Sequence, residues 1–133
     1  MEPMRSAISH EEGHLPTFWE LFEVARSQIQ EITPGEAADE LGRAVFLDVR
    51  EADERAIGTI PGAVCISRGM LEISIESAVA DRSTRVVVYC VAGVLSVLAA
   101  RTLSELGYTD VVSMAGGFTC WRDEGHSIEA PTG

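Results

Sequence analysis

Four short apolar runs punctuate the chain, at 44–49, 63–66, 86–89 and 111–114. Val86-Val87-Val88-Tyr89 shows no polar alternation, which predicts a strand covered on both faces, as in a parallel sheet. Ala44 to Val49 predicts a second buried strand that runs into the polar cluster Asp48-Val49-Arg50-Glu51. Ala63 to Ile66 predicts a short strand with Cys65 as a core residue, and Val111 to Met114 a last one. Between them the period changes. Leu95, Leu98, Ala99, Thr102, Leu103 and Leu106 recur at helical spacing, predicting a helix over about 96–106 that Gly107 stops. Upstream, Phe18, Phe22, Ala25 and Ile29 form one apolar stripe of a helix beginning near Thr17. Thr33 reads as an N-cap, with Pro34 at the first helical position and Glu36 completing a capping box, for a short helix to about Leu41. A short helix is expected over 51–57, a turn over 58–62, helix or irregular structure over 70–80, and a terminal helix over 118–124. Strands alternating with helices imply parallel pairing with right-handed crossovers, an α/β fold.

At 133 residues the chain is expected to form one domain with a proper core. Three segments are expected: a mobile tail over 1–15, a helix over 16–30 packed on the body, and the main domain over 31–133. The net charge of −11, with no basic cluster, argues against nucleic acid and anionic membranes as partners. No apolar run is long enough to span a bilayer, and the N-terminus lacks the apolar core of a signal peptide. Cys65, Cys90 and Cys120 are too few and too irregular for a disulfide framework or a zinc site, so a reducing cytoplasm is the expected home. His10 and His14, beside Glu11 and Glu12, read as a solvated tail rather than a metal pair. No metal and no cofactor are expected.

Cys90 stands between the C-terminal end of a predicted strand and the N-terminus of a predicted helix, where open α/β sheets bind ligands. Loop N–H groups and the helix dipole favour an anion there, and a thiolate is such an anion. On these residues alone, a nucleophile and an inert core cysteine both remain open.

Four blocks in register carry a resemblance. They are Asp48-Val49-Arg50-Glu51; Gly58-Thr59-Ile60-Pro61-Gly62-Ala63; Val88-Tyr89-Cys90 with Gly93 and Ser96; and Ala115-Gly116-Gly117-Phe118 with Trp121. Over roughly residues 30 to 130 the chain resembles the single-domain rhodanese family of sulfurtransferases. The resemblance implies a five-stranded parallel sheet of order 1-5-4-2-3, flanked by helices on both faces. It implies a catalytic Cys90 in a substrate-binding loop of Val91, Ala92, Gly93, Val94, Leu95 and Ser96. It also implies a two-step transfer. Cys90 would take a sulfane sulfur from a donor such as thiosulfate or a persulfide, then pass it to a thiol, cyanide or a partner sulfur-relay protein.

The chain departs from the family pattern twice. Leu95 stands where the family usually carries a loop cation, and Thr59 where it usually carries histidine. The alternative reading is therefore a weakly active or non-catalytic sulfur-carrier or partner-binding module. Arg50 and Arg68 each lie just past a predicted strand on the edge that carries Cys90. Arg50 is expected to pair with a neighbouring carboxylate; Arg68 stays open between a pocket cation and a solvated loop residue. Asp48 and Glu51 are expected to fix loops, and the backbone of Gly116 and Gly117 to edge the pocket. Cys120 is expected to pack on the body and His126 to lie in the surface tail. A phosphatase loop would need arginine at the sixth position after the cysteine, and Ser96 there cannot supply its clamp. The absence of Cys-x-x-Cys disfavours a dithiol redox protein.

Overall fold

The structure is a computed structural model that describes residues 15–131. Of the tail expected over 1–15, residues 1–14, with His10 and His14, lie outside the described residues. Five strands, β1 (Gln30–Ile32), β2 (Val45–Asp48), β3 (Val64–Cys65), β4 (Val86–Tyr89) and β5 (Val111–Met114), form one sheet of order β1-β5-β4-β2-β3. Every pairing is parallel. The helices are α1 (Phe18–Ser27), α2 (Pro34–Ala38), α3 (Leu71–Ala78), α4 (Leu95–Glu105) and α5 (Gly117–Asp123), with 3-10 turns at Glu54–Ile57 and Arg68–Met70.

Both faces of the sheet are covered, and for that reason β4 is apolar at every position. Val86, Val88 and Cys90 face a core that includes Leu71 and Ile75 of α3 and Ala99 and Leu103 of α4. Val87 and Tyr89 face the opposite core, with Ala37 of α2 and Phe118 and Trp121 of α5. Capping boxes start α1 and α2: the Thr17 and Thr33 hydroxyls accept from the N–H of Glu20 and Glu36, and those carboxylates accept in return.

Three expectations change. No apolar run marks β1, which is three residues long and exists by pairing Gln30–Ile32 with Val112–Met114. Cys65 is not a core residue. β3 is the sheet edge; Val64 packs toward α3, and Cys65, by alternation, points out into a depression lined by Ala52, Arg55, Thr59 and Glu129. The apolar stripe of α1 is covered only toward its C-terminal end. Ala25 is buried, Ile29 packs on the core and Gln28 accepts from Arg101 of α4 at 2.7 Å. Phe18 and Trp19 remain exposed; Phe18 stacks on Phe22, and Trp19 meets both rings edge-on.

Candidate active site

Cys90 directly follows β4 at the C-terminal edge of the sheet and is only 4% exposed. The chain then turns so that backbone N–H groups converge on the sulfur. Gly93 N–H donates to Sγ at 3.2 Å and Ser96 N–H at 3.3 Å. No side chain caps α4, whose first N–H groups lack intrahelical partners. The sulfur takes the role of the cap, in the positive field of the helix N-terminus.

Two buried serines complete the sulfur's surroundings. Cys90 Sγ lies 3.4 Å from Ser96 Oγ, and Ser113 Oγ donates to Ser96 Oγ at 2.8 Å. Both serines are fully buried, and no other side-chain partner reaches Ser113 among the described residues. The three groups thus form one buried chain of two contacts, Ser113 to Ser96 and Ser96 to the sulfur.

The loop is held from behind by the glycine pair. Phe118 N–H donates to Cys90 O at 2.8 Å and Thr119 N–H to Val91 O at 3.1 Å, which turns those carbonyls away from the sulfur. Gly117 has φ +60°, and a Cβ there would lie 2.5 Å from Val91 O and 2.6 Å from Cys90 O. A Cβ at Gly93, where φ is +88°, would lie 2.8 Å from Gly116 N. Only glycine permits that approach. Gly116 and Gly117 thus support the loop rather than edge the pocket.

The neighbouring wall is built on Asp48 and Arg50, both buried. Arg50 Nη2 meets Asp48 Oδ2 at 2.7 Å, and its Nε meets Oδ1 at 3.0 Å. Two further N–H groups donate to Glu54 O at 2.9 Å and Gly58 O at 2.7 Å, and its guanidinium carbon lies over the Phe118 ring at 4.2 Å. Burial alone would lower the Arg50 pKa; the hydrogen bond and charge of Asp48 outweigh it and hold it above the ordinary value. Burial, then Asp48, pushes the Tyr89 hydroxyl far up, so it stays neutral and accepts from Ile60 N–H.

A pocket of about 160 Å³ opens over the sulfur, lined by Arg50, Glu54, Cys90, Val91, Ala92, Val94 and Leu95. Of the sequence-derived candidates, Cys90, Val91, Ala92, Val94, Leu95 and Arg50 come together there. Gly93 and Ser96 lie beneath it as donors. Arg68 does not join them. It bonds Glu72 at 3.0 Å and Thr102 at 3.1 Å, two turns along α4 from Leu95. Cys120 lies against Gly116 and outside the pocket. Partial burial and then Asp48 push the Cys65 thiol up, away from its nucleophilic form. His126 stacks beside Trp121 at 4.7 Å and is absent from the pocket lining. Glu54 and Ser113 escaped the sequence reading; the signal for Ser113 was a lone hydroxyl inside the apolar run 111–114.

Comparisons with known proteins give the family. The model of the rhodanese-like domain family matches residues 33–124. The chain is 34% identical over 89 residues to a sulfurtransferase of Allochromatium vinosum, covering 67% of this chain and 81% of that one. It is 36% identical over 78 residues to the thiosulfate sulfurtransferase GlpE of Coxiella burnetii, covering 59% and 71%. Among solved structures, a protein of unknown function from Rhodopseudomonas palustris, described as a possible tyrosine phosphatase, superposes with a TM-score of 0.81. The two are 29% identical, and the match covers 91% of this chain and all of that one. On the sheet order, the cysteine loop and the extent of the match, this chain belongs to the rhodanese-like domain family.

Proposed function

We propose that the protein is a sulfurtransferase that carries sulfur as a persulfide on Cys90. The observation that carries this reading is the pair of backbone N–H groups, of Gly93 and Ser96, aimed at one buried sulfur. They are placed to donate to a negatively charged sulfur, both the attacking thiolate and the persulfide that follows it. The thiolate attacks the outer sulfur of a sulfane donor. A bond forms from Sγ to that sulfur, the donor's S–S bond breaks, and the leaving group departs with the electron pair. A thiol or another thiophilic acceptor then attacks the outer sulfur of the persulfide and regenerates Cys90. No general acid is needed where the leaving group is a stable anion, and no histidine lines this pocket.

The similarity to a described possible tyrosine phosphatase does not carry over. The sixth residue after Cys90 is Ser96, whose hydroxyl is bonded to Ser113 and the sulfur. It offers no fork of donors for a phosphate. A second reading, a sulfur carrier with little turnover of its own, draws on the lack of a loop cation at Leu95.

Intact-protein mass spectrometry after exposure to sulfane donors tests the proposal. The wild type should gain one sulfur and lose it to added thiol or cyanide, and Cys90→Ser should gain none. Loading of Cys90→Ser at the wild-type rate would overturn it. Loading with single-turnover discharge but no steady-state turnover would select the carrier reading.

A further inference from the structure

Among the described residues, the mouth of the Cys90 pocket offers no unpaired cation to a small dianion. All ten basic residues of the chain are arginines, and nine lie among the described residues. Each of the nine is engaged with a carboxylate or a carbonyl of the chain. Of the nine, only Arg50 reaches the pocket, and its buried guanidinium is paired with Asp48 and directs four of its five N–H groups to Asp48, Glu54 O and Gly58 O. The other charged lining residue is Glu54, whose carboxylate accepts from Glu51 N–H at 2.8 Å and so is held at the rim. The rest of the rim is aliphatic. Val91 is 39% exposed and Leu95 46%, although both are apolar and sit beside a reactive sulfur.

Resting on the proposed sulfur transfer, we infer that the donor this site selects is a small organic persulfide with an apolar substituent, and that the Val91–Leu95 rim with Glu54 discriminates against thiosulfate. An apolar group on the donor covers Val91 and Leu95, gaining roughly 25 cal/mol per Å² removed from water. Thiosulfate gains nothing there and brings two negative charges to a carboxylate on a chain whose net charge is −11. The reaction balances without an outside oxidant or reductant. The Cys90 thiolate bonds to the terminal sulfur of R–S–SH, the S–S bond of the donor breaks, and its electron pair leaves on RS⁻. The proton of the donor ends on RS⁻, giving RSH and the Cys90 persulfide anion.

The test measures the rate of Cys90 loading from three donors: thiosulfate, benzyl hydropersulfide, and its ring-carboxylate analogue. Each rate is divided by that of the same donor with free cysteine, which removes intrinsic reactivity. In the wild type the benzyl donor should load at least tenfold faster than thiosulfate, with its carboxylate analogue in between. Leu95→Arg should raise the thiosulfate rate by about 10- to 100-fold, the range of one charge-assisted hydrogen bond, and the gain should shrink in salt. Glu54→Gln keeps the oxygen that accepts from Glu51 and should raise the thiosulfate rate by a smaller factor. Thiosulfate matching or exceeding the benzyl donor in the wild type would overturn the inference. So would a benzyl preference that neither variant alters, since its source would then lie elsewhere. If no donor loads Cys90, it is the sulfurtransferase reading that fails.

Discussion

Ser113 interrupts an apolar strand, and its hydroxyl has one side-chain use among the described residues, donation to Ser96. Ser113→Ala removes that donation. Ser96 is then free to turn away from the sulfur. The expected outcome is several-fold slower loading of Cys90 from a sulfane donor, with the fold retained. Ser113→Thr keeps a hydroxyl and should restore most of the wild-type rate. A purely structural role would lower stability in a urea melt without slowing loading, so the two measurements together separate the cases. Cys90, unlike Cys65, combines burial, converging donors and a pocket.

At the scale of elements, the site is a junction of β4, the loop, α4 and the N-terminus of α5. The loop's shape is imposed from α5 through the N–H groups of Phe118 and Thr119. Gly117→Ala should therefore do two things. Holding a non-glycine residue at φ +60° costs about 1–3 kcal/mol. The new Cβ would also push against the carbonyls of Cys90 and Val91 and displace the loop donors from the sulfur. Both chemical stability and the rate of Cys90 loading should fall. Gly42→Ala is the control: its φ is +81°, but nothing lies within 4 Å of the added Cβ. It should cost comparable stability in a urea melt and leave loading intact. Equal loading rates in the two variants would show that the glycine pair does not set the loop.

At the scale of the whole molecule, the two edges of the sheet divide the labour. The C-terminal edge holds Cys90 and the Asp48–Arg50 wall. The opposite edge is tied by Arg85 at the entrance to β4, which meets both oxygens of Glu40 at 2.8 and 2.9 Å and Asp110 at 2.9 Å. The hydrogen bond from Arg85, ahead of its charge, holds the Glu40 carboxyl below its ordinary value of 4.5, against the opposing effect of burial. A depressed folded-state pKa adds stability above the unfolded value, and that stability is lost as pH falls through the folded one. Glu40→Gln should thus cost about 1 kcal/mol at pH 7. The difference between wild type and variant should vanish as pH drops below 4.5 toward the folded-state value, while Cys90 loading at neutral pH stays unchanged. A difference that is flat with pH would rule out the ionised pair as its source.

Much of this protein was legible in one dimension. Apolar runs without alternation report burial on both faces, and capping at Thr17 and Thr33 is a local property of four residues, so β2, β4, β5 and the starts of α1 and α2 followed from composition and spacing. The position of Cys90 at a strand–helix junction is local too. What spacing could not supply depends on distant partners. β1 carries almost no apolar signal and is made by hydrogen bonding to β5. Cys65 is exposed because its strand is at the edge, a fact about neighbours rather than about residue 65. Arg68 was open in the sequence because its reach depends on where α4 places Thr102. The Cys90–Ser96–Ser113 contact joins a loop, a helix and a strand, with Ser96 and Ser113 17 residues apart, and the parallel pairing of β4 with β5 brings them together.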